Sequence, residues 1–266
     1  LSQLYGFFDE SGIHGGARRC VLAGYIGSVR QGLLFEKAWL KVLSDFNLPE
    51  FHAKKFFAAR EEPYRSLSSE EQRKLLDGLL GAIHQHGITP VAASVVKRDF
   101  EQLTQNERRF VTGGLVGGNG NYRWRTSGAP SKPYFLVFQW CIAKAVKLAK
   151  VGKVVQFIFD QQNEYAPLAL QLFQEAKLLL SPEESARVGG CAFLSRLDAP
   201  PLQAADLLAH CWYSQQEQSA DKKRNYALRE LTARFDRITV FNSRSFEIMF
   251  EKVPEDVRAF VRGDAL

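Results

Sequence analysis

Leu4-Tyr5-Gly6-Phe7-Phe8-Asp9-Glu10-Ser11-Gly12-Ile13-His14-Gly15-Gly16-Ala17-Arg18-Arg19-Cys20-Val21-Leu22-Ala23-Gly24-Tyr25-Ile26 is the stretch that decides the fold. Leu4 to Phe8 is an apolar run that stops at Asp9 and reads as a buried strand; Cys20 to Ile26 reads as a second. The residues between, Glu10 to Gly16, have turn composition, so the two strands form a hairpin. Outward from it, Leu33 to Phe46 has helical spacing with Phe35, Trp39, Leu40 and Leu43 on one side, and Pro49 closes it. Ser68 and Glu71 are spaced as a capping box, opening a helix that runs to about His86 and stops at Gly87. Pro90 to Val96 reads as a strand and Tyr134 to Lys150 as a long apolar helix. Val154 to Phe159 is a β-prone run ending at Asp160, as the first strand ends at Asp9. Then come a helix over about 167–180, a short strand from Cys191 to Ser195, and a helix from Pro201 to Tyr213, where the Pro-Pro start suits a first turn. A helix around Tyr226 to Phe235 and a strand at Phe246 to Phe250 finish the chain. A hairpin followed by alternating strands and helices predicts an α/β fold, a mixed sheet flanked by helices, as one domain over 1–266.

Composition agrees. The 266 residues are 45% hydrophobic with 20 Phe, enough apolar mass for a core and far from a disordered composition. No run approaches the ~18 apolar residues of a membrane span. The N-terminal stretch lacks a basic n-region and carries acids early, unlike a signal peptide, so a cytoplasmic location is the default expectation. Cys20, Cys141, Cys191 and Cys211 are far apart with no C-x-x-C pair, which predicts free buried thiols and no structural zinc. The net charge of +6 permits an anionic partner. The basic C-terminal extension from about 221, with Lys222, Lys223, Arg224, Arg229, Arg234, Arg237 and Arg244, is either a solvated face or a nucleic-acid contact.

Thr112 to Pro133 departs from this texture. It holds six glycines, Arg123, Trp124, Arg125 and Lys132, and no acid. Its length and composition predict a functional loop or an insertion. Tyr122-Arg123-Trp124-Arg125 has the residues to grip a phosphate backbone and stack on a base.

Three acids stand where folding does not ask for one. Asp9 and Asp160 follow apolar strand residues, and Asp206 lies in the apolar helix Leu202-Gln203-Ala204-Ala205-Asp206-Leu207-Leu208-Ala209. An ionised acid buried alone costs several kcal/mol, so each needs a cation or donor nearby. Acids at the C-terminal ends of strands point into the crevice where α/β sheets bind ligands. A divalent metal answers both repulsion and desolvation, and oxygen-only ligands suit Mg²⁺ or Mn²⁺. The bland roles are a turn cap for Asp9 and a helix cap for Asp160, while Asp206, in mid-helix, has no capping role. Gln203 and His210 share the helix face of Asp206; Gln203 is a candidate substrate contact, and His210 is an ordinary histidine or a supporting one. Glu164, four residues after Asp160, is a reserve acid.

Phe8-Asp9-Glu10-Ser11-Gly12, Glu50-Phe51-His52, Phe159-Asp160 and Leu202-Gln203-Ala204-Ala205-Asp206-Leu207 resemble one bacterial and phage family. It is a domain-of-unknown-function family with a ribonuclease H-like fold, marked by an Asp-Glu-Ser-Gly start and a Gln-x-x-Asp helix. The motifs span residues 5 to about 213. The resemblance implies a sheet whose first three strands are antiparallel and whose later strands are parallel. It also implies a metal-dependent nucleolytic site in which Asp9, Asp160 and Asp206 are the matching acids. Glu10 and Ser11 match the start motif, and Glu50 and His52 match a Glu-x-His/Lys motif and would complete the site.

The leading expectation is a two-metal phosphodiester hydrolase acting on nucleic acid, with Mg²⁺ ions about 3.5–4 Å apart. Asp9 would bridge the metals, Asp160 and Asp206 would each hold one with help from Glu50 or Glu10, and His52 would position or shuttle protons. Lys54, Lys55, Arg123 and Arg125 are candidates for phosphate contact, and Ser11 for substrate. The alternative is a non-catalytic module that binds nucleic acid or a partner protein in a defence or mobile-element system. A phosphotransferase using Asp9 as nucleophile is disfavoured because Ser stands at position 11, where Asp-x-Asp chemistry wants an acid. A serine hydrolase on Ser11 lacks a Gly-x-Ser-x-Gly elbow. His84 and His86, two apart on a helix, diverge.

Overall fold

The first strand, β1 (Ser2–Ser11), continues past its apolar residues, so Asp9 and Glu10 lie inside it rather than after it. The chain returns as β2 (Arg19–Ser28), pairing Asp9 with Ala23 and Ser11 with Val21 in an antiparallel hairpin. Gly12 makes the exit: its φ is +76°, and a Cβ there would stand 2.2 Å from the Arg19 carbonyl oxygen. Only glycine tolerates both conditions. The computed structural model describes residues 2–118, 120–124, 131–161, 163–216, 221–233 and 238–263.

From β2 the chain enters α1 (Val29–Asp45), capped by Ser28 and Gln31, then α2 (Ala53–Ala58) and α3 (Ser69–Gln85), which carries the expected Ser68–Glu71 capping box. Next come β3 (Thr89–Val96), α4 (Lys97–Glu101), α5 (Gln105–Val111), the hairpin β4 (Leu115–Gly118) and β5 (Asn121–Trp124), and α6 (Pro133–Leu148). β6 (Lys153–Asp160), α7 (Ala166–Leu179), α8 (Pro182–Ser185), β7 (Val188–Leu194) and α9 (Pro201–Gln216) follow. The chain ends with α10 (Lys222–Thr232), β8 (Thr239–Phe241), α11 (Ser243–Glu251) and α12 (Glu255–Arg262).

The main sheet has the order β7-β6-β1-β2-β3-β8. β2 lies between β1 and β3 and is antiparallel to both, whereas β6, β7 and β8 join in parallel. The fold is α/β with a mixed sheet and helices on both faces, as expected. Strand alternation sorts the two cores. Cys20 and Leu22 of β2 face α6 and α7; Val21, Ala23 and Tyr25 face α1, α3 and α9. At Gly24 a Cβ would meet the Phe7 carbonyl oxygen at 1.9 Å, so β1 and β2 approach closely only because a side chain is missing.

Two expectations need correction. Phe246 to Phe250 is not a strand but the interior of α11. Asn242 caps that helix: its side chain accepts from the Ser245 N–H, and its own N–H donates to Ser245 Oγ at 2.6 Å. Phe246 and Phe250, four apart, then fall on one helix face, against Phe241 and Phe110. The second correction is within 112–133, where β4 and β5 form a hairpin whose two aromatic rings already have partners inside the protein. The Tyr122 and Trp124 rings pack on Phe260 of α12, and Arg109 lies 4.9 Å over Trp124. Arg123 is exposed; Arg125 lies outside the described residues, as do Arg234 and Arg237.

The stretch from about 221 contributes to both the core and the sheet, through Leu228, Leu231 and β8. Cys20, Cys141 and Cys211 are buried and Cys191 half-buried, all as free thiols. Among the described residues no helix is long and apolar enough to cross a membrane.

Candidate active site

The parallel register of β1 and β6 pairs Phe8 with Phe159, so the next residues, Asp9 and Asp160, emerge side by side. α9 packs across β1 and β2 and brings Asp206 to the same place. All three aspartates are at least nine-tenths buried. Residues nearly two hundred positions apart therefore share one small volume, and Glu10 adds a fourth carboxylate.

What holds them together is Arg196, in the loop between β7 and α9. Its Nη2 lies 2.5 Å from Asp160 Oδ2 and 3.6 Å from Asp9 Oδ2; its Nη1 lies 3.1 Å from Asp206 Oδ2. Asp206 Oδ2 also accepts the Ala53 N–H at 2.8 Å and stands 3.0 Å from His52 Nδ1. The same His52 nitrogen is 3.0 Å from Arg196 Nη1. Protonated, it donates to Asp206; bare, it accepts from Arg196; it cannot do both at once.

The electrostatics divide the acids. Burial works to raise Asp206, but the hydrogen bond from His52, the charge of Arg196 and the Ala53 amide overcome it and hold the carboxyl below its usual range. Asp9 is pushed well up, by burial first and then by the negative charges of Asp206, Glu10 and Asp160. Glu10 is pushed up to about 8, again by burial first and then by Asp160. Burial opposes the charge of Arg196, and the surrounding carboxylates more than restore it. One guanidinium thus leaves the group short of positive charge. Glu10 Oε2 shows the same deficit, being buried without a hydrogen-bond partner among the described residues.

A hard divalent cation fits this donor set by chemistry: clustered carboxylates, two of which are driven toward their neutral forms for want of a further cation, and a buried oxygen without a partner among the described residues. The spacing is another matter. Among the described residues, no group of three or more His, Cys, Asp or Glu side chains is arranged to hold a metal ion, and Arg196 lies between the aspartates.

Gln203 does not reach the cleft as a substrate contact; it is 1% exposed, and its amide is turned to partners inside the protein. Its Oε1 accepts from Trp39 Nε1 at 3.0 Å and the Phe51 N–H at 2.8 Å, and its Nε2 donates to the Arg196 carbonyl at 3.0 Å. One side chain thus positions both the His52 segment and the Arg196 loop. His52 joins the site. For Glu50, among the described residues the carboxylate makes no hydrogen bond or ion pair, and the carbonyl accepts from the Tyr64 hydroxyl at 3.3 Å. Ser11 is half-buried at the end of β1, and Lys54 and Lys55 are exposed on α2. His210 stacks on Phe57, with ring centroids 5.6 Å apart, and burial lowers it to about 4. Lys223 and Arg224 lie over Phe56 and Phe57, so part of the basic C-terminal stretch packs against α2.

Arg196 is the residue that sequence reading missed. The three apolar-flanked acids demand a nearby cation, but nothing in Ser195-Arg196-Leu197-Asp198 marks this arginine as the one.

The sheet order and the antiparallel opening strands give a mixed α/β sheet of the ribonuclease H-like arrangement that the sequence resemblance implies. No family model matches the sequence, and no curated protein matches it. Among solved structures, the chain is similar to an RNase HII chain from the PCNA:RNase HII complex of Archaeoglobus fulgidus. The two are 12% identical with a TM-score of 0.39, over 88% of this chain and 89% of that one.

Proposed function

We propose that this protein is a divalent-cation-dependent nuclease that hydrolyses phosphodiester bonds in nucleic acid. The observation that carries the reading is the meeting of Asp9, Asp160 and Asp206, from two strands and a helix, in a buried group that one arginine does not neutralise. Asp9, Asp160 and Asp206 would hold Mg²⁺ or Mn²⁺, with Glu10 supplying the oxygen that has no hydrogen-bond partner among the described residues. The cation would supply Lewis acidity toward a phosphoryl oxygen and acidify water. The protein's own part is positioning. Gln203 and the Ala53 amide fix the segment carrying His52, whose Nδ1 is tied to Asp206, leaving Nε2 as the ring position for exchanging a proton with water or substrate. Lys54 and Lys55 are the exposed cations nearest His52 in sequence and would meet the phosphate backbone.

A second reading, binding without cleavage, draws on one observation: Arg196 already sits among the carboxylates. Incubation with labelled RNA, DNA and hybrid strands, in Mg²⁺, Mn²⁺ or chelator, separates the two. The nuclease reading expects cation-dependent cleavage that Asp206→Asn and Asp160→Asn abolish. Strand binding that is unchanged by cation, with no cleavage, supports the module.

A further inference from the structure

Resting on the proposed cation-binding role of the acids, we propose that Arg196 is a built-in competitor for that cation, withdrawn from the carboxylates by the phosphodiester backbone of an entering strand, so that the site loads metal together with nucleic acid.

The guanidinium touches Asp9, Asp160 and Asp206 at once, so it stands where a cation shared by the three would stand. Both cannot occupy that space. The loop around Arg196 is fixed through its backbone: Gln203 Nε2 holds the Arg196 carbonyl, the Ser195 hydroxyl donates to Asp198 Oδ2 at 2.7 Å, and the Ala199 N–H donates to the Ser195 carbonyl at 3.0 Å. The side chain is not sealed in. It is 21% exposed, whereas the side chains of its aspartate partners are between 5% and 12% exposed, so more of the arginine side chain than of the acids reaches solvent. Only the side chain has to turn outward, since the loop is held through its backbone.

A phosphodiester offers the guanidinium a replacement partner. The planar fork of arginine matches two phosphate oxygens as well as it matches carboxylates. A strand laid over the cleft gives Arg196 that pair and frees the carboxylates for the cation. Without the strand, the binding-competent state is a minor one, and the apparent cation affinity falls by the fraction of molecules in which Arg196 is out.

The test is a Mn²⁺ titration of the metal-free protein, read by the loss of the free-ion paramagnetic resonance signal. Wild type, R196Q and R196K are compared with and without a phosphorothioate oligonucleotide, with the oligonucleotide alone as the blank and thermal melts confirming folding. R196Q is expected to bind Mn²⁺ about 5- to 150-fold more tightly than wild type in the absence of the strand, the span of ordinary coupling between ligands. The strand is expected to close that gap by raising the wild-type affinity. R196K keeps a charge but has no fork to bridge three carboxylates, and is expected between the two; it carries the comparison should R196Q not fold. Equal affinity in wild type and both variants, or a wild-type affinity unmoved by the strand, overturns the competitor role and leaves the cation site standing. Failure of every form to bind Mn²⁺, with or without the strand, overturns the cation reading and this proposal with it.

Discussion

Gln203→Met replaces a buried amide by an apolar side chain of similar length, and its cost follows from what the amide does. Two buried donors lose their acceptor: the indole N–H of Trp39 and the backbone N–H of Phe51, both on residues that are 0% exposed. An unsatisfied buried donor costs about 1–3 kcal/mol, so the pair costs about 2–6 kcal/mol. Burying a thioether instead of an amide recovers about 1 kcal/mol, leaving about 1–5 kcal/mol. Against a total stability of ~5–15 kcal/mol that is a large share. At about 2–4 °C per kcal/mol for a chain somewhat shorter than this one, the melting temperature should drop by roughly 2–20 °C. Denaturant unfolding should show a lower midpoint with an unchanged slope. The cause is checked with Trp39→Phe, which removes one of the stranded donors. The double variant should lose less than the sum of the singles, with a coupling of at least ~0.5 kcal/mol. A Gln203→Met protein within ~0.5 kcal/mol of wild type, or strictly additive singles, would refute the assignment of Gln203 as the tie between the His52 segment and the Arg196 loop.

Other consequences are as direct. Glu10 is raised from 4.5 to about 8 in the folded protein, so between those values the native state holds a proton that the unfolded chain has released. Stability in chelator should therefore fall as pH climbs through that window, and Glu10→Gln should flatten the fall; parallel stability–pH curves for the two proteins would contradict it. Removing both exposed lysines by Lys54→Ala and Lys55→Ala should weaken strand binding and reduce the salt slope of log K by about one per lost phosphate contact, read by fluorescence anisotropy at several salt concentrations. An unchanged slope would place the strand elsewhere. Gly24→Ala puts a methyl 1.9 Å from the Phe7 carbonyl and should destabilise by several kcal/mol or prevent folding, read by circular dichroism. A wild-type melt would contradict the observed β1–β2 approach.

Much of this architecture is written locally. The opening hairpin shows as two apolar runs around a glycine-rich turn, and the α3 start as Ser68 and Glu71 at capping distance. The three aspartates were visible because each interrupts apolar sequence. Long-range partnerships were not. Gln203 looks like a polar residue one turn before Asp206, and its real role depends on Trp39, 164 positions away. Arg196 is one of 35 basic residues, and a loop arginine has no periodicity to betray it. Phe246-Glu247-Ile248-Met249-Phe250 is a short, mostly apolar run that fits a strand as well as a helix, with its Phe pair at i and i+4; the Asn242 cap settles it. Tyr122 and Trp124 suggested a stacking tip because nothing in the loop announces Phe260, more than a hundred residues later.

The account stands on whether the carboxylates take up a divalent cation. A crystal grown with Mn²⁺ and a phosphorothioate strand, measured at the manganese absorption edge, tests this most directly. Anomalous density among Asp9, Asp160 and Asp206, with the Arg196 guanidinium turned away from them, is the predicted result. A strand-bound crystal at saturating Mn²⁺ in which Arg196 still bridges the aspartates, with no anomalous peak between them, would contradict it.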